Sequence, residues 1–495
     1  MRKLLLLVFI CSFVNFTNAQ DSRIPIDTTV VTTNSVTIKG KQVNYKAQTG
    51  TQPVFDANGN IKATLFYTYY YRTGIKNRKK RPLIMSYNGG PGSASVWMHI
   101  AYTGPKVLKI DDEGNPIQPY GIKDNPYSVL DVADIVFINP VNTGYSRPVV
   151  KKGEKVDKKY FFGVNADAKY LADWLTTFMT RNNRWLSPKY IIGESYGGTR
   201  VMQLAHELQS RQWMYLNGVI MVSPADYKII RTGESENLAM NLPYFTASAW
   251  YHKMLPTDLQ QKDLEEILPE AELFSYNELL PAIAKGGNIT DAERNRIASK
   301  MARLTGIKKR VLLQQNLEMK PSFFWKELLR DVNGKTLGRL DSRYLGIDRE
   351  EIGTRPDYSP ELTSWLHSFT PAINYYTQNV LKFKTDVKYN MFGPVHPWDF
   401  KNENARENLR KAMAQNPYLQ VLVQSGYYDG ATTYSVAKYT MGKIDPSGKM
   451  KNRMSFKGYR SGHMMYLRRV DLEKANEDLR LFIKKSSENV GAAKY

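Results

Sequence analysis

"YIIGESYGGTR", residues 190–200, decides how this 495-residue chain is read. Tyr190, Ile191 and Ile192 form a short apolar run of the strand type. Gly193-Glu194-Ser195-Tyr196-Gly197 follows with the spacing G-x-S-x-G. Beyond it, Val201, Leu204, Ala205 and Leu208 recur at helical spacing. Small residues beside Ser195 let the chain turn sharply from strand to helix and leave the hydroxyl exposed without a side-chain collision. An ordinary Gly/Ser turn uses the same letters, but the strand before and the helix after favour a nucleophile.

Working outward, 29–48 and 61–72 contain strand candidates joined through the turn "DANGN", 56–60. Four short apolar runs follow, at 82–87, 134–140, 189–195 and 216–224. Between the second and third of these, "ADAKYLADWLTTFMTR", 166–181, places Leu171, Trp174, Leu175, Phe178 and Met179 on one helical face. This alternation predicts an α/β sheet rather than a sandwich. The rhythm then changes. Residues 226–390 read as a helix-rich cap insertion, including "TDAERNRIASKMARLTG", 290–306, which opens with the Thr290/Glu293 spacing of a capping box. Sheet character returns at 418–430, and a charged amphipathic helix closes the chain near 472–485. The expected organisation is a core in two parts, 20–225 and 391–495, around the cap.

A serine hydroxyl is a weak nucleophile at neutral pH and needs a base, which in turn needs an orienting group. Asp429 follows the strand in "VLVQSGYYDGATTY", and His463 sits in the glycine-bearing loop of "KGYRSGHMMYL". The chain order Ser195, Asp429, His463 is that of an α/β-hydrolase. None of the other five histidines has comparable loop and order support. In "SYNGGPGSAS", 86–95, Gly90 is a candidate backbone donor to the oxyanion, paired with the amide of Tyr196. These glycines match neither the mononucleotide nor the dinucleotide phosphate-binding pattern, and no metal-ligand spacing is apparent, so no cofactor and no metal are expected.

Composition narrows the class. Hydrophobic residues make up 42% and aromatics 12%, so the chain reads as globular, with no repeat. "MRKLLLLVFICSFVNFTNAQ" carries two bases, an apolar run and short residues at Thr17 and Ala19. That pattern predicts a signal peptide over 1–19, with export to the periplasm or beyond. The run is shorter than the roughly 20 apolar residues that cross a bilayer, so no retained transmembrane segment is expected. Cys11 is the chain's one cysteine, and cleavage would leave a mature chain with neither disulfides nor a thiol nucleophile. Losing Arg2 and Lys3 takes the net charge from +22 to +20. This charge is dispersed apart from "KNRKKR", 76–81, read as a solvated basic turn and not as a nucleic-acid site.

With these residues in place, the sequence resembles the serine carboxypeptidase family, as an exported bacterial member. The resemblance rests on "YNGGPGS" at 87–93, "INPVNTGYS" at 138–146, "GESYGG" at 193–198, "SGYYDG" at 425–430 and "GHMM" at 462–465. It implies release of C-terminal residues from peptides through an acyl-enzyme, without a cofactor. It also implies that Ser195, Asp429 and His463 are catalytic, that Gly90 and Tyr196 form the oxyanion hole, and that Asn88 and Glu194 recognise the substrate carboxylate. Glu194 must be protonated to donate to another carboxylate. The sequence departs from the family pattern at Ser86, where a tryptophan is common, and at Ser93, where a cysteine is usual. Tyr102 stands where a glutamate commonly shares a proton with the acid beside the nucleophile, and Asn142 where a glycine is usual. These changes touch carboxylate recognition more than acyl transfer. An esterase, amidase or acyltransferase on the same triad is the alternative, and a catalytically silent binding protein is a further one, disfavoured because all three residues are present.

Overall fold

Nine strands order the molecule. In the computed structural model, which describes residues 24–150, 154–232 and 234–488, they are β1 (Thr28–Ile38), β2 (Lys41–Phe55), β3 (Ile61–Arg72), β4 (Leu83–Tyr87), β5 (Asp134–Ile138), β6 (Lys189–Glu194), β7 (Gly218–Val222), β8 (Gln420–Gly426) and β9 (Met454–Tyr459). They lie side by side in the order β1-β2-β3-β5-β4-β6-β7-β8-β9, with the two-residue strand Arg147–Pro148 added against β3. From β1 to β5 neighbours run antiparallel, and from β5 to β9 they run parallel. The signal peptide expected at 1–19 lies outside the described residues.

Apart from the half-exposed edge strand β9, the parallel strands are buried on both faces, which is why they read as continuous apolar runs. Alternation still sorts their side chains. Ile84, Ile135, Ile192, Ile220 and Leu422 enter one core, while Met85, Val136, Ile191, Val219 and Val421 enter the other. Helices α1 (Val164–Arg181) and α2 (Tyr196–Ser210) cover the second face, with Leu171, Trp174, Phe178, Val201 and Leu204 in its core. The first face packs against Leu472, Leu479 and Phe482 of the C-terminal helix Arg469–Ser487. This is an α/β-hydrolase sheet.

The stretch 29–48, read as strand, breaks at Lys39 and Gly40, both at positive φ, so it forms a hairpin. "DANGN" turns through Asp56, whose Oδ1 accepts from the amides of Asn58 and Asn60, each at 2.9 Å. Between β7 and β8 lies the helix-rich cap. Its own core joins Phe245, Ile297, Met301, Leu304 and Phe324. Thr290 Oγ1 accepts from Glu293 N at 3.2 Å, but the Glu293 carboxylate turns to Lys285, so only half of the capping box forms.

One member of the basic turn at 76–81 is structural. Arg81 is buried, and its Nε donates to Asp134 Oδ1 at 2.6 Å, while buried Arg184 donates to Oδ2 at 2.7 Å. Asp134 thus anchors the start of β5 between two guanidiniums. Asp134→Ala strands both buried cations, and an expected loss of about 3–5 kcal/mol follows from breaking such a network. Urea unfolding followed by tryptophan fluorescence measures it; a change below about 1 kcal/mol contradicts the assignment.

Candidate active site

Ser195 stands between β6 and α2 with φ +61° and ψ −124°, a conformation that L-residues rarely adopt. It persists because the neighbouring backbone holds it. Ser195 N donates to Val222 O at 3.0 Å, and Ser195 O accepts from Gly198 N at 2.8 Å and Ala225 N at 3.0 Å. A Cβ on Gly193 would lie 2.0 Å from Gly197 O, so the turn excludes any larger residue there.

The glycine loop lies directly against this turn. A Cβ on Gly89 would come within 2.6 Å of Tyr196 N and 2.9 Å of Ser195 Cβ. The N–H groups of Gly90 and Tyr196 have no protein acceptor among the described residues. Buried Arg200, on α2, fixes the loop from below. Its Nε pairs with Asp167 Oδ2 at 2.6 Å, Nη2 donates to Pro91 O at 3.1 Å and Nη1 donates to Asn88 O. Nothing in the motif letters marked Arg200 for this task.

Asp429 and His463 come from the loops after β8 and β9. His463 Nδ1 lies 2.7 Å from Asp429 Oδ2, and Asp429 Oδ1 accepts from the amides of Ala431 and Thr432 at 2.8 and 3.1 Å. The Thr432 hydroxyl sits 2.7 Å from Asp429 Oδ2 and 3.0 Å from His463 Nδ1. The sequence reading did not pick out Thr432, although its i+3 spacing from an aspartate is a turn signal. Burial pulls the imidazole pKa down, but Asp429 and Glu194 outweigh it and leave His463 above its ordinary value. Ser195 and His463 line one cavity of about 480 Å³, together with Glu194, Gly89 and Gly90. By contrast His99 is a core residue, 2.7 Å from the Tyr70 hydroxyl and stacked on Phe137.

A strap from the cap ties the acid and base loops together. Leu340 O accepts from His463 N at 2.6 Å, Arg339 O accepts from Gly430 N at 3.1 Å, and Asp341 Oδ2 accepts from Gly462 N at 3.1 Å. Buried Glu361 holds the strap in turn, accepting from Leu340 N at 2.7 Å.

The structure separates the two carboxylate-recognition candidates. Glu194 lines the cavity, whereas Asn88 is fully buried behind it and donates through Nδ2 to Glu194 Oε2. The Tyr466 hydroxyl donates to Oε1 at 2.6 Å. Tyr102 does not touch this carboxyl. It stacks on Tyr466 with centroids 4.9 Å apart and donates to Gln424 Oε1 at 2.7 Å. Burial pushes Glu194 up to about 7, against the opposing pull of His463, Tyr466 and Asn88. Two of the other departures also have local accounts, while the buried Ser86 hydroxyl has no hydrogen-bond partner among the described residues. Asn142 adopts φ +67°, which asparagine tolerates better than most residues, and Ser93 Oγ accepts from the Trp97 indole at 2.8 Å. No group of three or more metal-ligating side chains is found among the described residues, and none of their helices is long and apolar enough to cross a membrane.

A sheet of this topology, with a strained serine after its central strand and an imidazole–carboxylate pair from later loops beside it, places the chain among the α/β-hydrolases built for serine chemistry. Residues 39–463 match the family model described as serine carboxypeptidase, and the chain belongs to that family. Among curated relatives, serine carboxypeptidase-like 38 of Arabidopsis thaliana is 30% identical over 229 residues, 44% of this chain and 41% of the relative. Serine carboxypeptidase-like 36 of the same plant is 31% identical over 176 residues, 34% of this chain and 33% of that one. The chain thus aligns with less than half the length of these relatives. In three dimensions it is similar to KEX1(delta)p, a prohormone-processing carboxypeptidase from Saccharomyces cerevisiae. The TM-score is 0.55 at 14% identity, over 90% of this chain and 92% of the other, a likeness of fold.

Because the Tyr466 hydroxyl stabilises ionised Glu194, Tyr466→Phe is expected to move the Glu194 pKa upward from about 7 while keeping the stack on Tyr102. Infrared titration of the carboxyl band, assigned by its loss in Glu194→Gln, measures the shift. A midpoint unchanged or lowered contradicts it.

Proposed function

We propose that this chain is an exported serine carboxypeptidase that releases C-terminal residues from peptides through an acyl-enzyme. The observation that carries the reading is the shared cavity, lined by Ser195, by His463, which Asp429 orients at 2.7 Å, and by a buried acid, Glu194, raised to about 7. Ser195 attacks the scissile carbonyl as His463 takes its proton, and the amides of Gly90 and Tyr196 receive the oxyanion. His463 then protonates the leaving amine, and water attacks the ester with His463 again as base. Neutral Glu194 donates to the substrate's terminal carboxylate, while Asn88 and Tyr466 hold Glu194 in place. Asn88 therefore contributes through Glu194 and not by contact with substrate.

The domain division belongs to the same proposal, with core parts 20–225 and 391–495 around a cap at 226–390. So does the location, periplasmic or secreted in a bacterium, which the leader pattern at 1–19 and the cysteine-free remainder support. No retained transmembrane segment, specific nucleic-acid partner or cofactor is part of this reading.

Ser195→Ala is expected to fold and to lose burst-phase acylation of an activated peptide ester completely. A full-sized burst would remove Ser195 from the mechanism. Asp429→Asn is expected to lower the acylation rate roughly a thousandfold or more by misorienting His463; an unchanged single-turnover rate would exclude that role.

Preference for a free C-terminal carboxylate over the matching amide is expected to be largest below pH 6 and to decline through about 7. Over that range Glu194 ionises and repels the substrate carboxylate. The ratio for paired peptides, read by timed mass spectrometry, cancels the titration of His463. A ratio near one at every pH would sink carboxylate recognition, and ester turnover without peptide release would favour the esterase or acyltransferase alternative.

A further inference from the structure

A second cavity, of about 590 Å³, adjoins the one that holds Ser195, and Arg339 and Ala431 line both. Arg339 is therefore at the junction. Its backbone is fixed on the catalytic side, since its carbonyl accepts from Gly430, beside Asp429, and the next carbonyl accepts from His463 N. Its guanidinium has the opposite status. It is exposed and forms no ion pair or side-chain hydrogen bond among the described residues. Arginines near other carboxylates in this molecule behave differently: Arg343 pairs with Asp341, Arg200 with Asp167 and Arg460 with Asp263.

The second cavity adds another cation, Lys320, also exposed and without an anionic partner among the described residues. Among the described residues, Glu234 is the one carboxylate on its wall, and it forms no ion pair with either cation. Trp325 and Asn237 supply an apolar face and an amide beside them. Outside the wall, Glu361 and His463 feel the Arg339 charge, and neither forms an ion pair or hydrogen bond with its guanidinium. A guanidinium on a fixed backbone, lining the cavity of the reacting centre and lacking an internal anion, is suited to a planar carboxylate from substrate.

Resting on the carboxypeptidase reading, we propose that Arg339 is a specificity-determining residue that binds an acidic side chain of the peptide, Asp or Glu, in one of the two residues flanking the scissile bond. This is a different carboxylate from the terminal one assigned to Glu194. The second cavity receives the chain upstream of it.

Peptides that differ only by Glu against Gln, or Asp against Asn, at the last or the penultimate position test the assignment. At one of these positions the wild-type kcat/KM is expected to favour the acidic peptide about tenfold at low salt, and less at 0.5 M salt. Arg339→Gln is expected to abolish that ratio. Arg339→Glu is expected to turn it toward the matching Lys peptide, an inversion that a merely structural role does not produce. A Glu/Gln ratio unchanged by Arg339→Gln at both positions overturns the proposal. So does an Arg339→Gln effect confined to the free-acid against amide comparison, because Arg339 would then read the terminus. Equilibrium binding of the same fluorescent peptide pairs to Ser195→Ala separates the two readings. If wild-type protein cleaves no peptide yet binding discriminates Glu from Gln through Arg339, the carboxypeptidase reading fails and this inference stands.

Discussion

The positive φ of Ser195 is the constraint on which the surrounding structure depends. A serine held at φ +61° is strained, and the strain persists only where neighbouring groups determine the backbone more strongly than the residue's own preference. Here the determinants are carbonyl and amide bonds to Val222, Gly198 and Ala225, and a glycine at 193 where a side chain would collide with Gly197 O. The same geometry brings Gly89 against the turn, where the Gly90 and Tyr196 amides have no protein acceptor among the described residues. Arg200 then fixes the loop that carries Asn88 to Pro91, so that the oxyanion donors depend on a guanidinium located on the helix that the nucleophile opens.

Buried charge divides into two kinds. Asp134 and Asp167 each meet arginine at 2.6–2.7 Å, and these pairs serve architecture. Glu194 is equally buried but meets neutral donors, Asn88 and Tyr466. Desolvation then dominates and holds the acid close to neutrality, the state in which a carboxyl can donate a hydrogen bond. Among these three carboxylates the difference lies in whether the partner carries a charge.

The cap does more than cover the cavity. Its strap bonds to both the His463 and the Asp429 loops, so base and orienting acid are positioned from outside the sheet as well as by it. Glu361, on a cap helix, holds the strap through Leu340 N, which links an element far in sequence to the imidazole. Placement of Arg339 beside the reacting centre follows from those same backbone bonds.

The local sequence determined what depends on short-range rules. Continuous apolar runs located five of the six strands of the parallel half within a few residues and missed the half-exposed edge strand β9, while G-x-S-x-G placed the turn and loop chemistry singled out Asp429 and His463. Each of these signals is written in neighbouring residues, because pleat, helix period and tight turns act over a few positions. Tertiary structure alone decided the rest. That Asn88 stands behind Glu194, that Tyr466 and not Tyr102 reaches the carboxyl, and that Arg200, Thr432, Arg339 and Glu361 organise the cavity are contacts across as many as 272 positions in the chain. No periodicity encodes such pairs, since the fold chooses them by bringing loops from separate strands to one edge of the sheet, where burial and hydrogen-bond geometry select which polar groups meet.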